Sequence, residues 1–163
     1  MGAKNADVFA APADLDDWMA LVRKVSWNFP GLETEAELEA HRKTVRKFIG
    51  DRRALCVKDA DRIVGVLLFS KKYNMICCLA VDPEYRRRGI ASAMLEKALG
   101  ALDRSREITV TTFRENDAKG TAPRRLYKKY GFVEGELAEE FGYPSQRFLL
   151  RPVSQGENNY RAP

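Results

Sequence analysis

The 163-residue chain is poor in the residues that build metal centres and disulfide frameworks: it holds one histidine and three cysteines, two of them adjacent at Cys77 and Cys78. An odd cysteine count without a C-x-x-C pair indicates neither a disulfide scaffold nor a zinc site. No stretch approaches the roughly 18 consecutive apolar residues of a membrane-spanning helix, and the first residues lack a basic segment followed by an apolar run of the signal-peptide kind. These absences argue against membrane insertion, secretion and a bound metal. A reducing cytoplasm fits the free thiols. Internal repeats, long linkers and low-complexity tracts are also missing.

What is present is the make-up of an ordinary globular domain, with 45% apolar and 31% charged residues. A chain of this size buries roughly 70% of the surface that its unfolded form exposes, so its core needs no staple. We read residues 1–163 as one domain, with a core over about 6–152 and a polar tail after 152. The net charge of +5 favours anionic partners in a general way. Basic residues cluster at Arg42, Lys43, Arg46, Lys47, Arg52 and Arg53, at Arg86, Arg87 and Arg88, and at Arg124, Arg125, Lys128 and Lys129. Acids cluster at Glu33, Glu35, Glu37 and Glu39 and at Glu134, Glu136, Glu139 and Glu140. The molecule could therefore hold an anion and a cation at different places, although solvated faces account for any single cluster.

The apolar spacing sets out the elements. Leu15, Trp18, Met19, Leu21, Val22 and Val25 recur at helical intervals behind Asp14, an N-cap residue type, and this helix ends before Pro30. Thr34 with Glu37 forms a capping box for a second helix, carried by Leu38, His41, Val45, Phe48 and Ile49 to Gly50. Ala54 to Val57 and Ile63 to Phe69, joined by a polar turn, read as a hairpin. Met75 to Val81 is almost wholly apolar, the pattern of a strand covered on both faces, and Asp82 and Pro83 stop it. A helix begins near Gly89, a strand spans Ile108 to Phe113, and a short helix opens at Thr121 and Pro123 and closes at Gly131. Phe132 starts another strand, and Phe148, Leu149 and Leu150 lie in a last one. Val8 to Ala10 is either an edge strand or no element. The strand, helix, strand unit from Met75 to Phe113 implies a parallel crossover, of the usual right hand, inside an otherwise antiparallel sheet. The fold class is α/β: a mixed, mostly antiparallel sheet with a central strand-helix-strand crossover and helices on both faces.

The segment from Leu79, Ala80 and Val81 through Arg86, Arg87, Arg88 and Gly89 to Ile90, Ala91 and Ser92 joins a strand to a helix. A glycine at such a junction lets the backbone approach a ligand closely, and the first N–H groups of a helix have no partner inside it. With the positive end of the helix dipole and three arginines, these donors make a cradle for phosphate. The spacing is neither that of a P-loop, since no G-K-[ST] follows, nor that of a three-glycine dinucleotide loop.

In this context Arg86-x-x-Gly89-x-Ala91 resembles the [QR]-x-x-G-x-[GA] acetyl-coenzyme-A signature of the GNAT superfamily of N-acetyltransferases. Leu126, Tyr127, Lys128, Lys129, Tyr130, Gly131 and Phe132 resemble its second signature, a tyrosine in a short helix followed by Gly and Phe. The element order from Asp14 to Leu150 is similar to the family's as well. The resemblance implies that main-chain amides from Arg87 to Ser92 hold the coenzyme A pyrophosphate, with Arg86, Arg87 and Arg88 nearby. It implies that Leu79, Ala80 and Val81 pair with the pantetheine arm and that the Val81 N–H polarises the thioester carbonyl. Tyr127 would donate to the leaving thiolate; a phenol of pKa near 10 is protonated at neutral pH and suits a thiolate of pKa near 8.5. Acetyl-coenzyme A is then the cosubstrate, with no metal.

Two departures accompany the resemblance. Relatives often carry an asparagine about seven residues before the tyrosine, whereas Asn116 lies eleven before Tyr127, on a longer loop. Asn116 is assigned to the coenzyme with that displacement. Many relatives also place a glutamate on the strand read here as Met75 to Val81, which has no acid. The proton acceptor is left among Glu33 to Glu39, Glu134 to Glu140 and a water held by strand carbonyls. Cys77 and Cys78 read as small strand hydrophobes, and His41 as a structural or surface residue.

The leading reading is acetyl transfer to a primary amine of a small molecule or protein by direct attack. The alternative is a non-catalytic acyl-coenzyme-A-binding sensor or regulatory module. A third reading, nucleic-acid binding through the basic clusters, lacks aromatic interleaving and a motif, so no nucleic-acid partner is expected, nor a membrane. The amine acceptor stays open: the acidic clusters could attract a cationic amine, a polyamine, an aminoglycoside or a lysine side chain. The oligomeric state stays open, a homodimer included.

Overall fold

In the computed structural model, which describes residues 7–153, alternating apolar side chains feed two cores, one on each face of a single sheet. Strands β2 (Ala54–Asp59) and β3 (Arg62–Ser70) form the expected hairpin, and β4 (Met75–Val81) pairs antiparallel with β3. Successive strand residues point to opposite faces. Leu55, Leu67 and Phe69 therefore enter one core while Cys56, Val66 and Leu68 enter the other. The sheet is completed by β1 (Asp7–Phe9), β5 (Ile108–Phe113), β6 (Val133–Glu140) and β7 (Tyr143–Leu150), in the order β1-β2-β3-β4-β5-β7-β6. Every neighbouring pair is antiparallel except β4 and β5. Val8 and Phe9 thus belong to an edge strand.

Helices α1 (Leu15–Val25) and α2 (Glu35–Gly50) cover one face through Trp18, Val22, Leu38, Val45 and Ile49. Helices α3 (Ile90–Ala101) and α4 (Thr121–Lys129) cover the other through Met94, Leu95, Ala98 and Tyr127. The capping box of α2 forms as read from sequence: the Glu37 N–H donates to Thr34 Oγ1 at 3.1 Å and the Thr34 N–H to Glu37 Oε1 at 3.0 Å. Asp14 behaves differently. It stands at the N-cap position of α1 but makes no capping hydrogen bond there. Its carboxylate instead accepts the Ala11 N–H at 2.7 Å and pairs with Lys58 at 2.8 Å, closing a 3-10 turn over Pro12–Asp14.

The crossover between β4 and β5 positions everything that follows. These two strands run parallel yet pair at a single position, Met75 with Thr109. Asn74, 1% exposed and at φ +54°, holds the apex. Its Nδ2 donates to the carbonyls of Asp103 at 2.9 Å and Glu107 at 3.0 Å, and its Oδ1 accepts the Asp103 N–H at 2.9 Å. Its own carbonyl accepts the Thr109 N–H at 3.3 Å. Past this apex the strands separate. The expectation that β4 is covered on both faces fails for that reason: Cys77 is exposed, and Cys78, Leu79 and Val81 are half-buried. Among the described residues no helix is long and apolar enough to cross a membrane. The tail expected after residue 152 lies, beyond Val153, outside them.

Asn74→Ala would strip the Asp103 N–H and two carbonyls of their partner in a partly buried place and leave alanine in the left-handed region. An unsatisfied buried group costs about 1–3 kcal/mol and left-handed backbone about 1–2 kcal/mol more. We expect Asn74→Ala to lose about 3 kcal/mol and Thr34→Ala about 1 kcal/mol, the usual value of an exposed cap. Equilibrium urea unfolding reads both, and equal losses would show that the apex is no tighter a constraint than the cap.

Candidate active site

The separation of β4 from β5 opens into a cavity of about 1320 Å³ floored by Cys77 to Val81 of β4 and Val110 to Phe113 of β5. On one side it is lined by Arg86, Arg87 and Gly89 to Ser92 at the head of α3, and by α4 residues that include Tyr127. The connection between α1 and α2, one face of α2 and the β6–β7 hairpin supply the remaining wall.

The head of α3 is shaped by Gly89, which caps the helix at φ +78°. This left-handed conformation is one glycine enters without steric cost, and open space surrounds the position a Cβ would take. No side chain caps the helix. The N–H groups of Ile90, Ala91 and Ser92 are accordingly free of helical partners, and can hold an anion such as a diphosphate. The loop that leads there is fixed by Asp82, whose side chain is 3% exposed. It accepts the Glu84 N–H at 2.9 Å and the Lys24 ammonium at 3.0 Å, and pairs with Arg62 at 3.4 Å. Burial acts to raise the Asp82 carboxyl, but these donors outweigh it and hold the group below the usual aspartate range.

Most of the residues singled out from sequence meet in this cavity: Leu79, Ala80, Val81, Arg86, Arg87, Gly89, Ile90, Ala91, Ser92 and Tyr127 all line it. Arg88 does not; its guanidinium sits 4.7 Å above the Tyr85 ring. Asn116 is set apart too, in a smaller depression with Arg114, Asp117, Ala118, Tyr143 and Pro144. The long loop is the cause. Asp117 accepts the Lys119 N–H at 3.0 Å, capping a 3-10 turn over Ala118–Gly120, and the Tyr143 hydroxyl donates to it at 2.6 Å. This turn carries Asn116 away from the β4–β5 opening.

Tyr127 is 4% exposed, its ring 5.6 Å from that of Phe132 and 6.2 Å from that of Phe148. It thus packs α4 onto the sheet and lines the cavity at once. Burial, with the nearby Cys78, pushes its phenol well above the usual range. Surrounding protein also desolvates the cleft-facing thiols: it pushes Cys77, although that residue is exposed to the open cavity, up to about 11 and Cys78 up to about 12. Neither is a thiolate at neutral pH, which removes the form that a cysteine nucleophile needs.

The charge clusters resolve into distinct roles. Arg124 is buried: it donates to the Phe113 carbonyl at 2.9 Å and to Gln146 at 2.8 Å, and pairs with Glu134, so it binds the sheet together instead of an anion. Arg125 and Lys129, four residues apart on α4, line the cavity. Their helical spacing was the signal that could have assigned them to it. Among the described residues, Glu37 and Glu140 are the acids in the lining. The Glu37 carboxylate already accepts the N–H groups of Glu33 and Thr34, at 2.8 and 3.0 Å. Glu35 pairs with Arg23, Glu134 with Lys128 as well as Arg124, and Glu136 with Arg147. Glu140 is an exposed residue, but the protein packed around its carboxyl desolvates it and raises it above the usual glutamate range, only partly opposed by Arg147. His41 and Ser145 also line the cavity, with Nε2 and Oγ buried and unpartnered. A lone helical histidine and a strand serine gave no sequence signal for this. Among the described residues no group of three or more His, Cys, Asp or Glu could hold a metal ion.

Comparison with known proteins agrees with this geometry. The family model for the acetyltransferase (GNAT) domain matches residues 50–134, just over half of the chain. The fold is shared with an acetyltransferase of the GNAT family from Bacillus cereus ATCC 10987, at 21% identity and a TM-score of 0.66 over 91% of this chain and 97% of that one. An N-acetyltransferase from Staphylococcus aureus Mu50 gives 20% and 0.68 over 88% and 99%. The PaiA N-acetyltransferase from Thermoplasma acidophilum, solved in complex with coenzyme A, gives 15% and 0.67 over 89% and 97%. No curated protein sequence matches the chain. The span of the family model runs from β2 through the β4–β5 opening and the glycine-capped α3 to α4, and the chain belongs to the GNAT family of acetyltransferases.

Proposed function

We propose that the chain transfers the acetyl group of acetyl-coenzyme A to a primary amine by direct attack. The observation that carries this reading is a single cavity that joins an anion cradle at the head of α3 to a buried phenol and to the carboxylate of Glu140, which has no ion-pair partner among the described residues. Three free N–H groups, an uncrowded glycine and two exposed arginines fit a diphosphate. The open edge of β4 offers its main chain to the pantetheine arm as a further strand would. Acetyl-coenzyme A supplies an activated acyl group with a thiolate leaving group.

The residues of the chain then have separate tasks. The Val81 N–H hydrogen-bonds the thioester oxygen as charge develops on it. Tyr127, with its pKa far above that of a thiol, hydrogen-bonds the departing sulfur and keeps its own proton, so the sulfur leaves as a thiolate and takes up the second proton that the nitrogen sheds in forming the amide. Glu140 pairs with the incoming ammonium and accepts its proton. Both partners gain from the same surroundings, because burial raises the carboxyl and would lower the amine. Protonated thiols at Cys77 and Cys78 favour direct attack over an acetyl-cysteine route. The phenol and the free carboxylate also favour turnover over a coenzyme-sensing module, which needs neither.

Thiol release from acetyl-coenzyme A in the presence of amines tests the reading. Tyr127→Phe is expected to lower kcat about 10²-fold, the order of one lost transition-state donor, with the Kd for acetyl-coenzyme A from calorimetry unchanged. An unaltered kcat would remove Tyr127 from this role. Gly89→Ala puts a Cβ into left-handed backbone with nothing crowding it, so about tenfold weaker coenzyme binding is expected from backbone cost alone.

Glu140 generates a pH dependence of definite sign. It works ionised, so kcat/KM should rise with pH through a carboxyl pKa above the usual glutamate value, with Arg147 and the Cys77 and Cys78 thiols as the neighbouring groups. A raised folded-state pKa also means that ionising Glu140 opposes folding, an effect absent below the unfolded pKa and fully developed above the folded one. Glu140→Gln should therefore lose the acidic limb of the profile while its Tm at neutral pH does not fall. Persistence of that limb in the variant would assign the proton to another group.

A further inference from the structure

Resting on the acetyl transfer proposed above, we infer that the acceptor is a primary monoamine carried on an apolar body, aromatic or alkyl, gripped by Trp27 and Phe141. The part of the cavity lined by the α1–α2 connection, α2 and the β6–β7 hairpin supplies Trp27, Phe29, Leu32, Phe48 and Phe141, and neither lysine nor arginine. Two of these are costly to leave uncovered. Trp27 is 62% exposed and Phe141 80%.

Phe141 is out of place as a purely structural residue. Glu140 and Tyr143 form the last ladder pair of the hairpin, so Phe141 and Gly142 are its two-residue turn, at φ +53° and +76°. That is the type I′ pattern, where Asn, Asp and Gly are favoured and a bulky side chain is strained. Backbone and solvation both oppose a phenylalanine here, and residues held so against local preference cluster at ligand sites. Its ring also lies against Gly31: a Cβ built on that glycine would come within 2.8 Å of it. Gly31, at φ +86°, thereby lets the hairpin tip meet the α1–α2 connection.

Charge limits what this wall can hold. Among the described residues, the carboxylate in the lining without a partner is that of Glu140, adjacent to Phe141, since Glu37 is engaged by two N–H groups. A polyamine or an aminoglycoside brings several ammonium groups, and only one would find a partner. A free amino acid brings a carboxylate that would meet no cation on these three segments. The unpartnered polar atoms, His41 Nε2 and Ser145 Oγ, leave a hydrogen bond or two for the body of the acceptor. One cation on a largely apolar frame is what this arrangement complements.

Initial rates of thiol release from acetyl-coenzyme A should be compared for phenethylamine, tryptamine and hexylamine against spermidine, kanamycin, phenylalanine and a lysine peptide. The apolar monoamines are expected to give at least about tenfold higher kcat/KM, the order of one apolar group in a pocket. Trp27→Ala and Phe141→Asn should each raise KM for phenethylamine about tenfold, leaving kcat and the Kd for acetyl-coenzyme A unchanged, with Phe141→Leu in between. Because asparagine suits the turn, the Tm of Phe141→Asn should not fall, which separates lost binding from lost folding. Preference for spermidine, kanamycin, phenylalanine or the peptide, unchanged KM in both variants, or coenzyme binding without turnover of any apolar monoamine would overturn the acceptor assignment. Absence of both coenzyme binding and thiol release with every amine would instead bring down the acetyl-transfer reading beneath it.

Discussion

Asn74 gathers the connection between α3 and β5 through both ends of its amide, and its own carbonyl receives the Thr109 N–H that begins the parallel pairing. A parallel ladder pinned at one end is free to open at the other, and β4 and β5 use that freedom after one pair. The consequences run outward from this hinge. A row of main-chain groups on β4 is released from the sheet, and apolar side chains that would have been covered come to floor a cavity. The head of α3 and the side of α4 are left facing each other across the gap. If the ladder continued, backbone would satisfy backbone and no ligand could be recognised there.

Charge is sorted around that opening by consuming most of it elsewhere. The basic and acidic clusters look suited to many partners in the sequence, yet the structure spends Glu35 on Arg23, Glu136 on Arg147, and Glu134 on Arg124 and Lys128. Apart from the pair made by the buried Arg124, these are exposed pairs that contribute at most about 1 kcal/mol each. Their greater effect is to remove competing charge. Cations remain on the lining at the head of α3 and along α4, while Glu140 remains on the hairpin side. For the proposed reaction, this separation would tell an anionic cosubstrate and a cationic acceptor apart before any close contact forms.

Much of the fold was legible because its signals are local. The capping box at Thr34 and Glu37, the hairpin of β2 and β3, and the glycine at the head of α3 each depend on residues a few positions apart. What escaped depends on partners far along the chain. Asp14 abandons its cap for Lys58, Arg124 is drawn inward by Phe113 and Gln146, and Asn116 is turned out because Tyr143 holds Asp117. The apolar run of β4 was misread for a related reason. Periodicity reports that a strand avoids water, and it cannot distinguish a strand covered by protein from one awaiting a ligand. Asn74, His41, Ser145 and Phe141 carry no motif at all, since their roles arise only when the sheet brings distant segments together.

One cause links the perturbed groups of the cavity. Tyr127 and Cys78, and the more exposed Cys77 and Glu140, all hold their protons more tightly than usual because surrounding protein desolvates their charged forms. A cleft that disfavours charge keeps the phenol able to donate and the thiols unreactive. It also drives an entering ammonium toward the neutral amine that can attack a thioester. In the proposed reaction Glu140 is the exception that ionises, and as an exposed residue next to a strained hairpin turn it stays within reach of water. The same desolvation that activates the amine would thus make a second ammonium costly, so the proposed chemistry and the proposed acceptor follow from one property of the cleft.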